Sequence, residues 1–181
     1  MREYRKFYAV HLDKWTETWG GTNWNKLLLD AYPCTYCSTT TSSAWSSTGI
    51  KFLYPHNITD VYNVEGVLEG EINFYASAAS TWSHVSDFRV SLIKISSTGS
   101  ETNIANTGIK TTTETLVAKD YVTYHYWIDI YDTPHEVSSL ERLGIKIEWN
   151  ISSGKTPARL CHDLGTGTCD DIWVDVPLII D

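Results

Sequence analysis

The chain has 181 residues, 42% hydrophobic and 20% charged, which is the balance of one folded domain and excludes a disordered segment. Its 22 Asp and Glu outweigh 14 Lys and Arg, for a formal net charge of -8, and the only basic run is the opening Arg2, Arg5 and Lys6. Nucleic acid binding needs concentrated positive charge and a membrane span needs about 20 consecutive apolar residues, so neither partner is expected.

In chain order, Tyr4 to Leu12 predicts a strand, and the N-terminus carries no apolar signal-peptide core, so nothing read there directs the chain along the secretory route. Residues 13–26 and 33–49 are rich in Thr, Ser, Gly and Trp, the composition of working loops or of a docking arm. The segment 24–31 (WNKLLLDA) suits either a short helix or a buried strand, and periodicity does not choose between them. Residues 1–47 are therefore read as an N-terminal strand with an irregular arm, part of the same domain or docking on a neighbour. Residues 48–181 are read as a β-sandwich.

From Val67 onward the dominant period is two. Ile72, Phe74, Ala76 and Ala78 alternate with polar residues, as do Phe88, Val90 and Leu92. Val122, Tyr124, Tyr126, Ile128 and Ile130 form one face of a long strand, and Thr123, His125, Trp127 and Asp129 the other. Leu143, Ile145, Ile147, Trp149 and Ile151 then alternate without a break, followed by Ile172, Val174 and Val176. Turn formers separate these runs: Ser97-Thr98-Gly99-Ser100, Asp132-Thr133-Pro134 and Ser152-Ser153-Gly154. Ser138 to Arg142 fits one helical turn. One apolar and one polar face per strand is what an all-β, two-layer antiparallel β-sandwich requires.

The aromatic residues are weighted towards 8 Trp and 11 Tyr against 4 Phe. Trp and Tyr join a large apolar body to a polar tip and gather at interfaces. Trp15, Trp19, Trp24, Trp45 and Trp82 lie outside the clean alternations, and Trp82, Trp127, Trp173 and Tyr131 are expected on the outside of the sandwich. These eight are the candidate binding or interface residues; Trp149 shares a face with Ile145 and Ile147 and reads as core.

Four cysteines fall as Cys34-x-x-Cys37 and Cys161-x7-Cys169. Three readings stay open: disulfides, a structural zinc with His162 as a substitute ligand, and buried free thiols. Each is structural, because a redox pair of this spacing needs a βαβ setting. No other cofactor is expected. Asp163, Asp170 and Asp171 flank a Gly-rich turn suited to a hard cation or simply to solvent. Asp129 and Glu148 lie mid-strand on polar faces, and a sandwich hydrolase would need two such carboxylates in one cleft. No nucleophile elbow, zinc-protease helix or phosphate-binding glycine loop is present, and no catalytic residue is expected.

From about residue 48 to the end the order of elements resembles jelly-roll virion structural proteins of tailed viruses. The strand Phe88 to Ile95 is followed by the hairpin Ser97 to Thr102, a Thr-rich stretch from Lys110 to Ala118 and a Tyr-rich strand from Tyr121 to Ile130. Leu140 to Ile147 then steps into a strand, and Val174 to Leu178 closes the chain through Pro177. The resemblance implies a non-enzymatic capsid decoration or other head- or tail-associated protein, made in the host cytoplasm and residing in the virion. It would assemble as a homo-oligomer, a trimer being favoured, on major capsid or other virion proteins. The alternative is a carbohydrate-binding β-sandwich module using exposed Trp and Tyr.

Overall fold

The computed structural model describes residues 2–10, 17–28, 40–41, 50–54, 62–75, 83–112, 121–131, 135–154, 159–161 and 172–179. These residues form strands and connections, with no helix among them. In chain order the strands begin with β1 (Arg2–Val10), β2 (Glu17–Trp19), β3 (Thr22–Leu28), β4 (Thr40–Thr41) and β5 (Ile50–Leu53). The middle of the chain supplies β6 (Tyr62–Val64), β7 (Val67–Tyr75), β8 (Ser83–Ser96), β9 (Glu101–Asn106) and β10 (Lys110–Thr111). The remainder comprises β11 (Tyr121–Asp129), β12 (His135–Val137), β13 (Glu141–Gly154), β14 (Arg159–Cys161) and β15 (Trp173–Ile179).

Two layers result. The first is β11-β7-β15-β1; the second is β5-β13-β8, with β9 and β10 along the free edge of β8. β3 pairs with β1 on one side and β5 on the other, so hydrogen bonding passes from one layer to the next without interruption. The β3–β5 pair is parallel, and all other described pairings are antiparallel. The period-two residues of both layers turn inward and meet. Phe74 lies 5.4 Å from Trp149 and 6.2 Å from Phe88, centroid to centroid, and Phe88 lies 5.2 Å from Tyr124. Phe7 of β1 meets Tyr54 edge-on at 4.3 Å. Burial of these faces is the main favourable term holding the layers together.

The fold is therefore the expected all-β sandwich, with one open alternative decided and two local corrections. The segment 24–31 is strand as far as Leu28, because it completes hydrogen bonding between β1 and β5. Ser138 to Arg142 is not a helical turn: Ser138 to Glu141 form a β-turn leading into β13, closed by the Glu141 amide donating to the Ser138 carbonyl at 3.0 Å. Ser152 to Gly154 is the last stretch of β13 and not a turn beyond it: the strand shifts register after Asn150 and stays paired with β8 out to Ser83.

The described N-terminal residues are built into this body. β1 pairs with β15 from Arg2 to Tyr8. The hairpin β2–β3 folds over the outer face of the second layer, where Trp19 and Trp24 pack on buried Leu53, Ile93 and Ile95. The Trp19 indole donates to the Ile95 carbonyl at 2.9 Å, and the Arg142 guanidinium stacks 4.4 Å from its ring. The Trp24 indole donates to the Trp19 carbonyl at 2.8 Å. Trp19 and Trp24 thus seal their own domain.

Candidate functional site

The outer surface of the first layer is organised by strand register. Lys6, Asp175, Glu69 and Trp127 stand side by side on β1, β15, β7 and β11. Two residues along, the corresponding row is Tyr8, Trp173, Glu71 and His125. Lys6, Asp175, Glu69, Trp127, Trp173, Glu71 and His125 are the polar or aromatic members of alternations whose other members are in the core, so they face outward together. The Glu71 carboxylate accepts from the Trp173 indole at 3.3 Å and lies 3.4 Å from His125 Nδ1. Lys6 Nζ sits 3.9 Å over the Trp173 ring and Lys110 Nζ 5.2 Å from that of Trp127.

Below the first of these rows the layer opens. β7 leaves β15 after the Asp175–Glu69 pair, and β6 takes its place beside Leu178 and Ile179. The exchange happens at Gly66, whose φ of 131° lies in a region that L side chains rarely adopt. A side chain there would also press on Pro177 and approach the Tyr4 hydroxyl. The notch left between the diverging strands is a pocket of about 430 Å³ lined by Tyr4, Val67, Glu69, Tyr131 and Asp175. Two backbone-directed contacts set its Tyr131 wall: the Ile130 amide donates to the Gly66 carbonyl at 2.8 Å, and the Tyr131 amide donates to Asp129 Oδ1 at 3.1 Å.

Asp175, like Glu148 on the other layer, carries a buried carboxylate oxygen. The Asp175 Oδ1 has no hydrogen-bond donor among the described residues. Burial pushes its carboxyl above the ordinary aspartate value; Lys6 counteracts this in part and Glu69 reinforces it.

The outer face of the second layer is different in kind. Both Arg89 Nε and Nη2 donate to Glu148 Oε2, at 2.9 and 2.8 Å. Lys146 Nζ lies 3.4 Å from the other Glu148 oxygen and 3.3 Å from Glu101, which also pairs with Lys51. This ladder of alternating charges is closed on itself, and the β2–β3 hairpin covers the adjoining apolar strip.

Trp127 and Tyr131 are exposed and Trp173 half-buried, all three on the first-layer face, while Trp149 is core. Trp15, Trp45 and Trp82 lie outside the described residues, as do Cys34, Cys37, Cys169, His162, Asp163, Asp170 and Asp171. Of Cys161 only the backbone, in β14, is described. Asp129 and Glu148 do not share a cleft: they flank core residues of different layers, and so point to opposite outer surfaces of the sandwich. The carboxylates that do come together are Glu69 and Asp175. Alternation marks each as outward-facing, but their adjacency depends on pairing strands about a hundred residues apart in the chain.

Fold and face together define a β-sandwich module with one self-covered outer surface and one presenting aromatic and acidic groups. No protein-family model and no curated protein matches the sequence. Among solved structures the chain is similar to two of a CocE/NonD family hydrolase from Staphylococcus aureus, with TM-scores of 0.67 and 0.61 and 10% sequence identity in each. The superpositions take in 99% and 98% of this chain but 37% of the hydrolase chain, so the similarity is to the fold of a part of that protein. This corrects the expectation of a capsid decoration protein. A similar fold, matched over nearly the whole chain, occurs within a bacterial hydrolase, and the order of elements by itself assigns no virion role.

Proposed function

We propose that the chain is a non-catalytic β-sandwich unit that works beside a hydrolase catalytic unit, contacting it or its substrate through the face of β1, β15, β7 and β11. The observation that carries this reading is the superposition of nearly the whole chain on about a third of a hydrolase, 37% of its length. The asymmetry of the two outer surfaces supports the choice of face. One is closed by the β2–β3 hairpin and its Trp pair; the other presents Tyr4, Trp127 and Tyr131, more than half of each exposed. Large aromatic residues held on a rigid sheet supply contact area at little entropic cost, which is what an interface anchor needs.

Two measurements test the reading. The purified chain is assayed on ester and amide substrates and with a serine-reactive fluorophosphonate probe. Neither turnover nor labelling is expected, and turnover that follows the protein through purification would overturn the non-catalytic assignment. A photo-crosslinking residue is then placed at Trp127, and in a second protein at Leu140, in cells that make the chain. A hydrolase captured from Trp127 and not from Leu140 is the expected outcome; capture from Leu140 alone would place the contact elsewhere.

A further inference from the structure

The pocket between β15 and β7 is poorly explained as structure alone. A sheet that stabilises itself pairs its charges, as Arg89, Glu148, Lys146 and Glu101 do on the opposite face. Here two carboxylates, Asp175 and Glu69, stand side by side across a strand pair and both line the pocket. Lys6, the neighbouring cation, is placed over the Trp173 ring, one row away from the notch. Such an arrangement costs stability in the empty protein.

The walls add chemistry to the charge. Tyr4 and Tyr131 present aromatic surface, Val67 an apolar floor, and a volume of about 430 Å³ is that of a small-molecule site. Carboxylates backed by aromatic rings are the combination that recognises an organic cation: the charge meets the carboxylates and the carbon skeleton meets the rings.

We propose that this pocket binds a small organic cation, an ammonium or guanidinium group carrying an apolar substituent, with Asp175 and Glu69 as its counter-charges and Tyr4 and Tyr131 as its walls. The donor hydrogens of the cation meet the carboxylates of Asp175 and Glu69 that line the pocket. The direction of the Asp175 shift agrees: the carboxyl is held up by burial, with Lys6 opposing and Glu69 adding to the rise, and a bound cation supplies further opposite charge. Binding is then accompanied by proton release near the Asp175 titration, against a background set by Lys6 and Glu69. The proposal does not rest on the hydrolase reading, since cation binding is measured on the isolated chain whatever protein works beside it.

The test is a calorimetric titration of the purified protein with benzylammonium, with benzyl alcohol as neutral counterpart and calcium as inorganic cation. Benzylammonium is expected to bind and benzyl alcohol not to. Asp175→Asn and Glu69→Gln should each weaken binding at least about tenfold, the loss of one charge-assisted hydrogen bond. Tyr131→Ala, at an exposed wall position, should weaken it without affecting the fold. Asp175→Asn should also leave the protein as stable or more stable, because it removes a poorly compensated charge; this separates loss of binding from loss of folding. Equal binding of benzyl alcohol, calcium binding in preference to benzylammonium, or no uptake of the amine at millimolar concentration would each overturn the proposal.

Discussion

Glu148 shows how one buried carboxylate is made tolerable. Its side chain is 1% exposed, yet it sits between Arg89 and Lys146, so its charge is met from both sides. Glu148→Gln keeps the shape and removes the charge, leaving Arg89 and Lys146 facing a neutral amide. Urea denaturation should show a loss of about 2 kcal/mol, the usual consequence of breaking a largely buried pair from one side. Glu101 and Glu141 carry the acid dependence. Burial alone would raise both, but Lys51 and Lys146 around Glu101, and Lys94 with Ser138 around Glu141, hold them below the ordinary glutamate value. Groups depressed in the folded state contribute stability above their unfolded pKa and lose it as pH falls through the folded one. The urea midpoint should therefore drop as the solution is acidified below the glutamate range. Lys51→Met and Lys94→Met should flatten that drop, and an unchanged profile in both would assign it to other carboxylates. Asp175, shifted upward, acts with the opposite sign: it is a burden at neutral pH that acid relieves.

At the scale of elements, the β2–β3 hairpin is the piece whose role alternation alone does not reveal. Its Trp residues look like interface anchors until the hairpin is folded over Ile93, Ile95 and Leu53. Its tip depends on Gly20, at a φ of 56°, packed against Gly99 in the β8–β9 turn at a φ of 85°. A Cβ on Gly20 would run into the Gly99 backbone, which cannot yield like a side chain. Gly20→Ala should cost more than about 1 kcal/mol, from backbone strain and collision together. Trp19→Ala, which loses the Ile95 hydrogen bond and uncovers the strip, should cost about 2–3 kcal/mol. Differential scanning calorimetry would resolve both, and an unchanged Tm for Trp19→Ala would show that the hairpin is dispensable cover.

For the whole molecule, the continuity of hydrogen bonding through β1 and β3 decides what is domain and what is appendage. An arm that merely docks would be removable. Here β1 supplies Phe7 to the core and covers the edge of β15, and β3 joins the layers. Deleting residues 1–28 should abolish cooperative thermal unfolding, and Phe7→Ala should cost about 3 kcal/mol or more. A truncated chain that keeps a sharp transition would restore the arm reading. The proposed place beside a hydrolase belongs to this scale too, because it rests on the path of the entire chain and on no single residue.

What the sequence determined by itself is local. Strict alternation in Leu143 to Trp149 or Val122 to Ile130 assigns each residue to a face, because successive side chains on a strand point to opposite sides whatever the strand pairs with. That was enough for the fold class, for the core place of Trp149 and for the outward place of Trp127, Tyr131 and Trp173. Tertiary structure alone decided the rest. Which strands become neighbours is set by long-range packing and register, so Asp175 meets Glu69 while Asp129 and Glu148, equally polar in pattern, end on opposite surfaces. Trp19 and Trp24 turn inward for the same reason: only the folded second layer has the apolar strip that makes an interface residue part of a core.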